Sequence, residues 1–356
     1  MRNVTIQSMT TTQTSDIRAT VAQINRLTGL GCDIIRIAVP DKPSADAIAK
    51  IKENITIPLV ADIHFDHKLA LRAVEAGADK IRINPGNIDN NITDKGSDKI
   101  KAIAEICKRK DIPVRIGVNS GSLEKDILDK HGGVTPEAMF ESALRHVKLF
   151  NKYDFNNIWL SAKTSNVLLT VNTYRLLHEQ LEYPLHIGIT EAGTEYSGII
   201  KSSIGIGALL LNGIGNTIRV SLTAQPEKEI EAAKALLKAL HLRPGYDIIS
   251  CPTCGRCKID LIPIAQEVEK RLSKLEHEAN KTINHSPSDF RTPNSEPVTV
   301  AVMGCSVNGP GEASQADYGI AGGDMDGLIF AKGKIIKKAP MHTLVDELFN
   351  VIDSKR

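Results

Sequence analysis

Aromatic side chains are scarce in this chain: Phe, Trp and Tyr make up 4% of its 356 residues, with a single tryptophan. Stacking platforms for bases are correspondingly few, and a net charge of +2 leaves no polyelectrolyte surface. No run of about 20 apolar residues could span a bilayer. The opening Met1-Arg2-Asn3-Val4-Thr5-Ile6-Gln7 passes into a strand-like pattern rather than into the apolar core of a secretion signal. These absences predict a cytoplasmic protein that meets neither nucleic acid nor membrane. What remains is ordinary globular material, 42% apolar and 24% charged, long enough for two domains.

The first 240 or so residues alternate β-rich runs with amphipathic helical patterns. The runs are Val4–Met9, Ile34–Val39, Leu59–Ile63, Lys80–Asn84, Val114–Asn119, Ile158–Ala162, Leu185–Thr190 and Thr217–Leu222. Between them lie helical stripes such as Ile17, Val21, Ile24 and Leu27, and Thr135-Pro136-Glu137 opens another helix with a capping residue and a first-turn proline. Helices are expected to end at Gly29, Gly31 and Gly77 through left-handed caps. Eight β/α units over this length predict an α/β fold of the (β/α)₈ TIM-barrel type. A doubly wound open sheet is the competitor, but no G-x-G-x-x-G follows the first strand.

The barrel is expected to occupy residues 1–243, and an α+β domain residues 244–356. In the second domain we expect a short strand at Asp247–Ser250, a helix at Leu261–Leu275 and a polar mobile loop about 280–297. A strand at Val298–Met303, hairpin-like runs at Tyr318–Ala321 and Leu328–Ile336 turning through Gly322-Gly323, and a closing helix at Met341–Ile352 complete it.

Cations lie on the barrel strands: Arg36, Arg82, Arg115, Lys163 and Arg219. The outer face of each strand must be apolar to meet the helices, so these side chains should point inward, toward the C-terminal mouth. A funnel of cations suits a phosphorylated small molecule, because guanidinium forks match phosphate oxygens. The bland alternative is a set of structural pairs with Asp62 or Asp33. Asp62 and His64 share a strand face, as do Arg115 and Asn119, and Glu191 ends Gly188-Ile189-Thr190-Glu191. These are candidates for proton transfer or for orienting a hydroxyl.

Four of the six cysteines fall in two turn-rich runs: Cys251-Pro252-Thr253-Cys254-Gly255-Arg256-Cys257 and Gly304-Cys305. In a reducing compartment such clustering indicates a metal or redox site rather than disulfides. Zinc ribbons need two C-x-x-C pairs, and only one is complete; an all-cysteine zinc site stays possible. The radical S-adenosylmethionine signature fails, since it has three residues between its first two cysteines. An iron–sulfur cluster on Cys251, Cys254 and Cys305 leaves a fourth ligand open between Cys257 and Glu312. Cys32 and Cys107 read as small buried hydrophobes.

Together these motifs resemble a known family. Val4-Thr5-Ile6-Gln7-Ser8-Met9-Thr10, Leu59-Val60-Ala61-Asp62-Ile63-His64-Phe65, Ile81-Arg82-Ile83-Asn84-Pro85-Gly86-Asn87, Arg115-Ile116-Gly117-Val118-Asn119, Thr190-Glu191-Ala192-Gly193, Cys251-Pro252-Thr253-Cys254-Gly255-Arg256 and Asn308-Gly309-Pro310-Gly311-Glu312 run in order along the chain. They resemble the bacterial 4-hydroxy-3-methylbut-2-enyl diphosphate synthases of non-mevalonate isoprenoid biosynthesis. The resemblance implies an oxidoreductase that opens 2-C-methyl-D-erythritol 2,4-cyclodiphosphate reductively with loss of water. It implies a [4Fe-4S] cluster on Cys251, Cys254, Cys305 and Glu312, with Cys257, usually not a cysteine in the family, as a bystander. It implies substrate binding by Arg36, Arg82, Arg115, Lys163, Arg219 and His64, catalytic roles for Asp62, Asn119 and Glu191, electrons from flavodoxin or ferredoxin, and a homodimer. Two other readings compete: a pterin-binding barrel of the dihydropteroate synthase or methyltransferase kind, and a zinc-bearing module.

Overall fold

The computed structural model describes residues 3–88, 97–282, 297–305, 311 and 313–354. The chain forms two compact units, one running to Leu236 and the other from Leu237. Among the described residues no helix is long and apolar enough to cross a membrane.

In the first unit eight strands run parallel: β1 (Thr5–Met9), β2 (Ile34–Ala38), β3 (Leu59–Ile63), β4 (Lys80–Ile83), β5 (Val114–Asn119), β6 (Ile158–Lys163), β7 (His186–Ile187) and β8 (Thr217–Ile218). They pair in the order β6-β5-β4-β3-β2-β1-β8-β7. A parallel bridge between Leu160 and Leu185, with Leu160 N donating to Pro184 O at 2.9 Å, brings the two ends together. The result is a TIM-type barrel with a helix after each strand. Ile35, Ile37, Leu59, Ile81, Ile83, Val114, Ile116 and Leu160 are almost wholly buried, which supplies the apolar outer layer that the helices require.

The two last strands are shorter than the apolar runs suggested. Beyond Ile187 stands Gly188, where a Cβ would lie 2.4 Å from the carbonyl oxygen of Arg219. The chain stays extended there, and Arg219 N still donates to Ile187 O at 3.1 Å, but regular pairing stops. The loops that leave the strands are closed by polar caps. Side chains of Asp16, Asp41, Asp66, Ser97, Thr135 and Asn166 each accept a hydrogen bond from the first turn of the following helix. Gly31 and Gly77 take the left-handed conformation as expected, with φ of 102° and 96°, whereas Gly29 is the last residue of the helix Ile17–Gly29.

In the second unit five strands order as β13-β12-β11-β10-β9: β9 (Tyr246–Ser250), β10 (Val298–Met303), β11 (Tyr318–Ala321), β12 (Asp326–Ala331) and β13 (Lys334–Pro340). The first three are parallel and the last two antiparallel. Alternation on β10 sends Val300 and Val302 into one core. Val268 and Leu272 of the helix Leu261–Thr282 join them there, with Leu344, Leu348 and Ile352 of the helix Leu344–Ser354. Ala301 and Met303 face the other way, against Ala321 and Phe330. The hairpin-like run Leu328–Ile336 contains a turn of its own, between β12 and β13. Lys332 and Gly333 have φ of 48° and 72°, the positive pair that a tight two-residue hairpin turn needs. Gly322-Gly323 connects β11 to β12. The helix from Leu261 reaches Thr282, so it takes the first residues of the expected loop; residues 283–296 lie outside the described residues.

Thr135 accepts from Ala138 N at 3.1 Å at the start of the helix Pro136–Asn151. Thr135→Ala should cost about 1 kcal/mol and lower the thermal midpoint of the barrel by about 2–4 °C, read by circular dichroism. An unchanged midpoint would show that the cap contributes nothing.

Candidate functional site

Alternation along the strands places a polar set inside the barrel. At its centre is Asp62, near the end of β3, with its side chain 3% exposed. Its Oδ1 accepts from Arg82 Nη1 at 3.2 Å. Its Oδ2 lies 3.2 Å from His64 Nε2 and 3.8 Å from Arg36 Nε. Burial alone would raise the Asp62 carboxyl, but Arg36, His64 and Arg82 outweigh it and hold the group well below the usual carboxylate range. Arg36 also directs Nε and Nη2 at Met9 Sδ, at 3.1 and 2.9 Å. Burial lowers Arg36 to about 9, with Arg219 and Arg82 adding to the effect against Asp62, so it stays charged at neutral pH.

Room for Arg82 is made by Gly117 on the neighbouring strand. A Cβ at Gly117 would stand 2.5 Å from Arg82 Nε, while Arg82 Nη2 donates to Gly117 O at 3.4 Å. Gly188 does the same for Lys163, whose Nζ would be 2.9 Å from a Cβ there. Lys163 ends β6 and is 8% exposed. Burial first, then Arg115, Arg219, Arg36 and Arg82, push its amine well below the ordinary lysine value. Arg219 approaches Glu229 Oε2 at 3.6 Å. Glu229, on the helix Pro226–Ala239, also accepts from Ser8 Oγ and Leu222 N, both at 3.1 Å.

Arg115 already has side-chain partners within the barrel. It sits early on β5, 2% exposed, and its Nη1 donates to Gln7 Oε1 at 2.6 Å and reaches His186 Nδ1 at 3.1 Å. It is thus held inside the barrel, in register with Arg82 of the neighbouring strand. Asn119, at the end of β5, is half-buried and in register with Lys163. Glu191 is exposed and has φ of 51°, a left-handed conformation that costs a non-glycine residue free energy and that recurs at functional positions. Asp33, weighed as a partner for an arginine, instead accepts from Ile6 N at 2.8 Å.

In the second unit Cys251 and Cys305 leave the sheet from the ends of the adjacent parallel strands β9 and β10. The amide of Gly304 donates to Cys251 Sγ at 3.1 Å. Cys254 is exposed, and the backbone N–H and then the side chain of Arg256 lower its thiol. The Cys257 thiol donates to Ile259 O at 3.1 Å, and its sulfur sits beside Gly304, where a Cβ would lie 2.5 Å from it. Glu312 lies outside the described residues, and among those described no three His, Cys, Asp or Glu side chains already form a metal-holding group. The donors themselves fit a thiolate-bound metal group, with an amide aimed at one sulfur and a guanidinium beside another. Cys32 and Cys107 are buried as expected, and burial pushes the Cys107 thiol up to about 12.

Against known families, residues 1–234 match the GcpE TIM-barrel domain and residues 247–354 match the GcpE protein C-terminal domain. The chain belongs to the GcpE family. Three relatives within it are named 4-hydroxy-3-methylbut-2-en-1-yl diphosphate synthase (flavodoxin). That of Caldicellulosiruptor saccharolyticus is 55% identical, covering 99% of this chain and 94% of its own length. That of Caldanaerobacter subterraneus subsp. tengcongensis is 54% identical, covering 98% and 92%. That of Bacillus subtilis is 52% identical, covering 98% and 86%. A solved dihydropteroate synthase from Stenotrophomonas maltophilia aligns with a TM-score of 0.49 at 15% identity, over 67% of this chain and 93% of that one, a likeness too slight to bear on function.

Of the expected barrel residues, Arg36, Asp62, His64 and Arg82 form one bonded network in this GcpE barrel, and Lys163, Arg219 and Arg115 are coupled to it through charge. Among the described residues no hydrogen bond or ion pair ties Asn119 or Glu191 to the cations, although both close the same strand ends. Sequence reasoning missed Gln7, Met9, His186 and Glu229. The first two alternate on β1 and could have been found from their shared face; Glu229 comes from a helix, where strand alternation gives no signal.

Gly117→Ala should drive the Arg82 guanidinium off Asp62. The loss of one charge-assisted contact, about 1.5–3 kcal/mol, should weaken pyrophosphate binding about ten- to a hundredfold by calorimetry. Unchanged affinity would mean that Arg82 does not meet the ligand.

Proposed function

We propose that this chain opens 2-C-methyl-D-erythritol 2,4-cyclodiphosphate reductively and dehydrates it to 4-hydroxy-3-methylbut-2-enyl diphosphate. The observation that carries this reading is the 55% identity to a synthase of that name, which extends over 99% of the chain and so spans both the cationic barrel and the cysteine turns. Two electrons enter, the bond from ring carbon to phosphate oxygen breaks, and one hydroxyl leaves as water. A flavodoxin, named as the partner of the relatives, is the proposed electron donor here, with a ferredoxin as substitute.

Arg36, Arg82, Lys163 and Arg219 bind the phosphates, and His64 reaches them from the rim. Arg115, held by Gln7 and His186 in register with Arg82, is the fifth cation of that set. Asp62 keeps Arg36 and Arg82 fixed, so the forks meet the ligand already oriented. Asn119 orients the ligand hydroxyls, and Glu191, exposed after β7, carries the proton that converts the departing hydroxide to water. Cys251, Cys254, Cys305 and Glu312 would hold a [4Fe-4S] cluster. When bound, that group supplies single low-potential electrons and a Lewis-acidic iron for the departing oxygen. Cys257 is proposed as a bystander, which its thiol bond to Ile259 O supports. We take the active form to be a homodimer.

Anaerobic purification tests this. The account expects a brown protein with about four iron and four sulfide per chain. Cys257→Ser should keep that content and turn over the cyclic diphosphate with a chemical reductant. Cys305→Ser and Glu312→Gln should lose turnover, and Glu191→Gln should lower it about a hundredfold or more. A colourless zinc protein, or iron lost from Cys257→Ser but kept in Cys305→Ser, contradicts the assignment; full turnover by Glu191→Gln removes that residue from the chemistry.

A further inference from the structure

In the second unit the run Cys254-Gly255-Arg256-Cys257 folds as a turn. The amide of Cys257 donates to Cys254 O at 2.9 Å, closing the chain over Gly255 and Arg256. A turn closed in this way holds its first and fourth Cα atoms within about 7 Å, the separation that a disulfide bridges. Among the described residues no such bond closes Cys251-Pro252-Thr253-Cys254, and the Cys251 sulfur already accepts from the Gly304 amide at 3.1 Å. The two thiols of the closed turn differ in access. Cys254 is exposed, whereas Cys257 is half-buried and packs against the core that contains Leu261 and Val302. Arg256, between them, is exposed, and among the described residues it meets no carboxylate.

The proposed function leaves Cys257 without a role. An exposed sulfur with a sheltered one beside it is the arrangement in which the first enters thiol–disulfide exchange and the second resolves it. We propose that Cys254 and Cys257 form a reversible disulfide, made by exchange with a small disulfide that carries carboxylates, which Arg256 meets. The Cys254 sulfur attacks one sulfur of the small disulfide and a new S–S bond forms. The old S–S bond breaks, and one small thiol leaves with that electron pair and the proton of Cys254. The Cys257 sulfur then attacks Cys254 Sγ in this mixed disulfide. The internal bond closes, and the second small thiol leaves with the proton of Cys257. The two protein thiols lose two electrons in all, and the small disulfide gains them. Because Cys254 is a ligand in the proposed function, the bond forms while the cluster is absent and keeps iron out until a thiol reduces it. That consequence rests on the proposed ligand set; the disulfide itself does not.

The full-length chain, freed of iron by a chelator, would be incubated with glutathione disulfide, alkylated and digested with trypsin. Trypsin cuts after Arg256, so a bond from Cys254 to Cys257 appears as two joined peptides, and fragmentation distinguishes Cys254 from Cys251. That bond should exceed any bond to Cys251 or Cys305 about fivefold, the preference that one turn hydrogen bond confers. In Cys257→Ser the glutathione adduct should instead persist on Cys254. Iron uptake by the oxidised chain should be lost and should return with dithiothreitol. Predominant bonding of Cys254 to Cys251 or Cys305, or an adduct that persists on Cys254 in the unmodified chain, overturns the proposal. A Cys254–Cys257 bond that leaves iron uptake unchanged supports the disulfide and contradicts Cys254 as a ligand.

Discussion

Cations taken out of water cost free energy unless anions meet them, and the barrel interior holds more cations than it has carboxylates to meet them. Arg36, Arg82, Arg115, Lys163 and Arg219 are set against Asp62 and Glu229. Asp62 is shared between two arginines and a histidine, and Glu229 divides its oxygens among Arg219, a serine and a backbone amide. Burial and the neighbouring cations lower the Lys163 amine, and Met9 sulfur makes a soft contact with Arg36. An anionic ligand supplies what the fold withholds. In the proposed function that ligand is a diphosphate: the attraction would be built before the ligand arrives, with the cost carried by the packed barrel around it.

The backbone is shaped by the same requirement. Gly117 and Gly188 leave strand positions without a Cβ where guanidinium, ammonium or carbonyl groups come within about 3 Å. Gly188 ends regular pairing in β7, and the chain then delivers Glu191 at positive φ. The shortness of the last two strands, the strained carboxylate and the cationic interior are therefore linked features of one wall of the barrel.

Much of this was legible in the sequence. Strand cations in apolar runs can point only inward, so Arg36, Arg82 and Lys163 were placed by alternation alone. Contacts were not legible: alternation fixes the face of Arg115 but not its partners, and Gln7 and His186 come from strands far away in the chain. The hairpin at Lys332-Gly333 was hidden because the apolar pattern continues on both sides of a turn marked by one glycine. The cysteine spacing narrowed the metal chemistry but left Cys257 open; the bond of its thiol to Ile259 O is information that spacing cannot carry.

The central claim is that the barrel mouth is short of negative charge until its ligand enters. Lys163 tests it. In the free protein its amine is held low by burial and by the surrounding cations, and a bound diphosphate would raise it again. A group whose value rises on binding takes up a proton, so affinity should weaken as pH increases from the free-state value toward the bound-state value. The cyclic diphosphate has no phosphate that titrates near neutrality, so the proton must come to the protein. Calorimetric titration of the protein with the cyclic diphosphate, followed across the pH range in which the free amine titrates and in buffers of different ionisation enthalpy, should therefore show proton uptake that Lys163→Met removes. Binding heats that are the same in every buffer, with an affinity indifferent to pH, would contradict the account.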